Sequence, residues 1–143
     1  LELELFRLLL PQHADIYSEL LVSGPGLQRL YQCLGTIRGE TVTDLEPADI
    51  SARAIAGEDP LCVQALETFC ALLGSVCGDF LLASGAYGGL YLAGGIIPGM
   101  IPFLRSSQFH GKVTDEDLAL ALLARSQSTN TARGVSQSSL QVE

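Results

Sequence analysis

The sequence predicts an α/β domain, a sheet flanked by helices, and three observations carry that prediction. Stretches with a helical apolar period alternate with short apolar runs of strand length. One of those runs, Leu90 to Ala93, is apolar on both faces, the pattern of a strand covered by helices on either side. And 143 residues, 48% of them hydrophobic, amount to one domain able to bury a core.

The elements follow in order. "LELELFRLLL" at 1–10 suits a helix by propensity, and Pro11 stops it. After a polar loop, the β-type run Leu20 to Val22 gives way to Gly24 and Pro25. Leu27, Leu30, Tyr31 and Leu34 then recur at helical spacing, with Pro25 where a first helical residue tolerates a missing N–H: strand, tight turn, helix. Residues 35–58, rich in Gly, Thr and acids, read as a surface connection with a short helical piece near 51–56. Asp59 as N-cap and Pro60 as first residue open a buried helix over 60–83. Its polar positions Gln64, Glu67, Thr68, Ser75 and Asp79 share one narrow stripe. A glycine turn, the buried strand at 90–93 and a second helix over about 98–104 come next. Thr114 then caps "DEDLALALLAR", with acids at its positive end and Arg125 at its negative end. The remaining tail is polar and reads as disordered.

Composition excludes several functions. A net charge of −8 with only eight Lys and Arg residues, none clustered, leaves no surface for nucleic-acid phosphates. Leu1 reads as a cut end, with no signal or transit pattern after it. Cys33, Cys62, Cys70 and Cys77 form no C-x-x-C pair and read as reduced core thiols of a cytoplasmic protein rather than a metal site. Residues 80–104 carry no charge and are long enough to span a bilayer of roughly 30 Å. Glycines at 85, 88, 89, 94, 95 and 99, with Pro98 and Pro102, break any single spanning helix, and Asp79 weighs against a membrane hairpin of 60–83 with 86–104. His13 and His110 stand alone, so no Ser/His/Asp triad and no metal cluster assembles.

The glycines have two readings. In open α/β sheets ligands bind where a strand turns into a helix, and a backbone without Cβ atoms lets a flat or charged group approach. "LYLAGGIIPG" fits that layout: Gly94 and Gly95 form the approach surface, while Gly88 and Gly89 let the preceding turn pack against helix 60–83. The other reading is a pair of ordinary glycine turns. Stricter phosphate signatures are missing, since no G-x-x-x-x-G-K-[ST] occurs and "GPGLQR" lacks the third glycine of G-x-G-x-x-G.

"SELLVSGPGLQRLY" (18–31), followed by "GDFLLASGAYGGLYLAGGIIP" (78–98), resembles the C-terminal half of the bacterial-type glucokinase family, members of the actin-like ATPase (ribonuclease-H-like) fold. The resemblance covers roughly residues 1–110. It implies the large C-terminal domain of that fold, transfer of the ATP γ-phosphoryl group to the glucose 6-hydroxyl at the entry to glycolysis, Mg²⁺ held largely by phosphates and water, and a cytoplasmic homodimer. By the same resemblance Glu19 corresponds to a family glutamate that hydrogen-bonds sugar hydroxyls, work a carboxylate suits because it accepts from two neighbouring hydroxyls. Without the resemblance Glu19 reads as a solvated surface acid. "LAGGI" (92–96) resembles the adenosine motif, so Gly94 and Gly95 lie against the nucleotide. Ser23, Gly24 and Gly26 match a turn near the same cleft and shape it.

The family pattern is also incomplete in this chain. The Asp-Gly-Gly-Thr phosphate loop, the Asn-Asp pair that supplies the general base and the Glu-Gly-Gly-His sugar motif have no counterpart in the 143 residues. No catalytic residue is therefore assigned, and the isolated chain is expected to be inactive, because phosphoryl transfer rests on positioning and charge stabilisation. After Lys112 the pattern lapses, through divergence, an altered frame or truncation. The chain divides into a partial C-terminal domain over 1–112, a divergent terminal helix over 113–126 and a disordered tail over 127–143. A second class of reading stands beside the enzyme: a non-catalytic interaction or regulatory domain that keeps the sugar-kinase fold.

Overall fold

Side-chain caps open two of the helices and left-handed glycines close three in the computed structural model, which describes residues 1–13, 15–85, 90–92, 94–109 and 113. Helix α1 spans Glu2–Leu9, with acids in its first turn, Arg7 in its last, and Leu5 and Leu9 buried one turn apart. Helix α2 is a single turn, Ser18–Leu21. Helix α3, Gly24–Arg38, starts where Ser23 Oγ accepts from the Gly26 N–H at 3.0 Å. It ends at Gly39, whose φ of 71° sends the Glu40 N–H back to the Gly35 carbonyl at 2.9 Å. Helix α4, Pro47–Ala56, closes the same way at Gly57. Helix α5, Pro60–Ser84, is capped by Asp59, which accepts from Leu61 N–H at 2.8 Å and Cys62 N–H at 3.3 Å. Helix α6, Ile97–Ser106, buries Ile97, Met100 and Leu104.

Helices α3, α4 and α5 pack against one another around Leu27, Leu30, Leu34, Ile50, Leu66 and Phe69, all essentially without solvent exposure. Helix α1 lies on α3, and α6 lies on α4. No buried side-chain nitrogen or oxygen lacks a partner among the described residues. Helix α5 is long and apolar enough to cross a membrane by length and composition, but half of that window is buried inside the fold, as in the core helix of a water-soluble protein.

The predicted α/β class, with a sheet flanked by helices, is corrected here: the described residues hold helices and no strand. The run Leu20 to Val22, expected as a strand, is the end of α2 and the residue after it. Leu20 and Leu21 are both buried although adjacent, which a turn of helix wedged against α3 allows and a half-exposed strand does not. The Leu20 carbonyl accepts from Arg29, and the backbone of α3 at Gly26 lies close against the Leu21 carbonyl. Residues 90–92 have no regular secondary structure and pair with no strand among the described residues, and burial alternates, with Leu92 buried and Tyr91 61% exposed. The expected two-sided burial is therefore absent where the run is described, and Ala93 lies outside the described residues. So do Gly88, Gly89, the cap Thr114 and the terminal segments 114–126 and 127–143.

Candidate functional site

The corner between α2 and α3 holds four of the residues singled out in the sequence. Tyr17 is extended, and the chain then makes one helical turn held by a bond from the Val22 N–H to the Ser18 carbonyl at 2.8 Å. Glu19 sits in that turn, exposed, and its carboxylate has no ion-pair partner among the described residues. Ser23 returns to extended backbone and caps α3. The glycines that follow differ in kind. A Cβ at Gly24 would meet Pro47 Cγ at 3.9 Å, an ordinary contact with the first residue of α4. A Cβ at Gly26 would lie 2.8 Å from Leu21 Cα and closer still to its carbonyl, so only glycine lets α3 sit against α2.

One residue of this corner escaped the sequence reading. Arg29 is half-buried, and its Nη1 donates to the Leu20 carbonyl nine residues back. The signal was its position: three residues after Gly26, it falls on the face of α3 that meets α2.

Gly94 and Gly95 lie apart from this corner, exposed, in the bend that leads into α6. Gly94 has φ = 153°, a backbone that favours glycine, and a Cβ at either position would meet nothing within 4 Å. Open space rather than packing surrounds both positions among the described residues. Helix α4 relates the two regions: its first residue faces Gly24, and α6 packs along it. No hydrogen bond or ion pair joins Glu19 to the glycine pair among the described residues.

The remaining chemistry is quiet. Burial raises the thiols of Cys33 and Cys77, pushes Cys70 up to about 11, and pushes Cys62 up to about 12 with help from the Asp59 carboxylate it bonds. Among the described residues no group of three His, Cys, Asp or Glu side chains can hold a metal ion. A groove of about 740 Å³ runs between α1 and α5, walled by Leu3, Phe6 and Leu72 and by the polar stripe at Gln64, Glu67 and Thr68. None of Glu19, Ser23, Gly24, Gly26, Gly94 or Gly95 lines it.

Comparison with known proteins identifies the corner's setting. The glucokinase of Saccharophagus degradans is 47% identical over 109 residues, covering 76% of this chain and 34% of its own. That of Nitrobacter hamburgensis is 45% identical over 101 residues, covering 71% and 32%. A crystal structure of glucokinase from an Antarctic psychrotroph superposes with a TM-score of 0.71 at 39% identity, over 78% of this chain and 34% of that one. The chain therefore spans about a third of the length of the relatives it matches. The glucokinase family model matches residues 1–126, most of the sequence, and the chain belongs to the glucokinase family.

Proposed function

We propose that this chain is the C-terminal part of a cytoplasmic, homodimeric, ATP-dependent glucokinase that phosphorylates glucose at its 6-hydroxyl. Glu19 carries the reading: an unpaired, exposed carboxylate on a turn made rigid by its neighbours, in a chain of the glucokinase family. Its two oxygens accept from neighbouring pyranose hydroxyls and so orient the ring, presenting the 6-hydroxyl for attack. The N–H of Gly26 is taken by Ser23, which gives "SGPG" the work of shaping the turn rather than of binding a phosphate.

ATP supplies the transferred phosphoryl group. The bend at Gly94 and Gly95 fits it, because a Cβ-free, exposed backbone with nothing within 4 Å leaves room for the adenosine face. Mg²⁺ accompanies the nucleotide, held largely by its phosphates and water, as suits a small cation that gives up its hydration reluctantly. The chain alone is inactive, because the family's phosphate loop and general base have no counterpart in its sequence.

Titration of a complete glucokinase carrying this segment tests the assignment. Glu19→Gln keeps the shape but turns one acceptor into a donor, at a cost of about 1–3 kcal/mol, or roughly tenfold to a hundredfold weaker glucose binding. ATP affinity stays unchanged. Gly94→Val reverses the pattern, weakening ATP and sparing glucose. A glucose dissociation constant within about twofold of wild type for Glu19→Gln would return Glu19 to an ordinary surface acid.

A further inference from the structure

We propose that Arg29 is a positioning residue for Glu19, a clamp that holds the sugar-binding turn from within α3. The inference rests on the sugar reading of Glu19 and adds a residue that reading does not contain. Three observations converge on it. The turn that carries Glu19 is one four-residue helix, too short to hold itself, its ends tied by bonds from the Leu20 N–H to the Tyr17 carbonyl at 3.0 Å and from the Val22 N–H to the Ser18 carbonyl at 2.8 Å. The Leu20 carbonyl, immediately after Glu19, belongs to the set a helix leaves unbonded at its C-terminal end, and the Arg29 guanidinium fills it. That guanidinium has no carboxylate within ion-pair distance among the described residues, so its charge is directed at the carbonyl, where a charged donor bonds more strongly than a neutral one.

The geometry makes the clamp directional. Gly26 brings α3 against the Leu21 carbonyl, and Arg29, one turn further on, takes the carbonyl before it. Two successive peptide groups of the turn are thereby pinned to one face of α3, with the buried Leu20 and Leu21 side chains beneath them. The backbone at Glu19 is fixed in angle, while its carboxylate stays free of protein partners and open to a ligand. Loss of Arg29 releases the turn without touching the sugar, so the carboxylate must be ordered again at each binding event.

Steady-state kinetics of a complete glucokinase carrying this segment tests the clamp with Arg29→Met, Arg29→Lys, Glu19→Gln and the Arg29→Met/Glu19→Gln double variant. Arg29→Met is expected to raise the KM for glucose about fivefold, with kcat and the KM for ATP moved less than about twofold. Arg29→Lys, which keeps a charged donor, recovers part of the loss. In the Glu19→Gln background Arg29→Met adds little, because the clamp acts through Glu19. Should Arg29→Met fail to fold, Arg29→Gln, two bonds shorter and still polar, replaces it. A strong Glu19→Gln effect with a silent Arg29 variant overturns the clamp alone. A silent Glu19→Gln with silent Arg29 variants overturns the sugar reading and the clamp with it. An Arg29→Met effect that survives undiminished in the Glu19→Gln background also overturns the clamp, because Arg29 would then act by another route.

Discussion

Gly26 and Gly24 stand two residues apart in one motif and do different work, which only the position of the Leu21 carbonyl reveals. Gly26→Ala forces α2 and α3 apart and is expected to destabilise the chain by about 1–3 kcal/mol, as overpacking does. Gly24→Ala places its methyl in ordinary contact with Pro47 and should stay within about 0.5 kcal/mol of wild type. Thermal unfolding followed by circular dichroism separates the two, and equal effects would remove the steric argument. At this scale "SGPG" was legible as a turn from residue types alone. The demanding glycine was not, because the atom it must avoid belongs to a neighbouring element.

Helix α5 was the most legible element, since Asp59, Pro60 and a long apolar run announce both its start and its burial. Its cap supports a pH prediction. Burial on its own would raise the Asp59 carboxyl, but the Leu61 and Cys62 N–H groups, the Cys62 thiol and Arg53 outweigh it and hold the carboxyl below its ordinary value. A depressed folded-state value contributes stability above the unfolded value near 3.8 that is lost as pH falls through the folded one. Asp59→Ala should therefore cost about 1 kcal/mol at neutral pH, and the gap from wild type should shrink in chemical unfolding as the pH falls below 3.8. A gap that holds constant into acid would show that the cap acts without its charge. The four buried thiols follow from the same packing: with values raised by burial, they should resist iodoacetamide in the native chain and all label in denaturant, as intact mass reports.

At the scale of the molecule, the described residues present an exposed carboxylate at Glu19 and an exposed glycine bend at Gly94 and Gly95 on a helical scaffold, with no group of three His, Cys, Asp or Glu side chains placed to hold a metal. Mixed with glucose, ATP and Mg²⁺, it should form no glucose 6-phosphate above the uncatalysed background in a coupled assay; turnover by the chain alone would overturn the assignment of the missing machinery elsewhere. What the sequence determined by itself was local and short-ranged: a helix beginning beside Pro25, another opened by Asp59 and Pro60 and ended by a glycine turn, the burial of α5, and through its two motif blocks the family. These depend on neighbours within about one or two helical turns. The tertiary structure decided whether an apolar run becomes strand or helix. Leu20 to Val22 and Leu90 to Leu92 look alike as hydrophobic triplets, but a strand exists only where another backbone offers its N–H and C=O groups. Where Arg29 took the Leu20 carbonyl and α3 lay close against Leu21 instead, the run closed into the turn that carries Glu19.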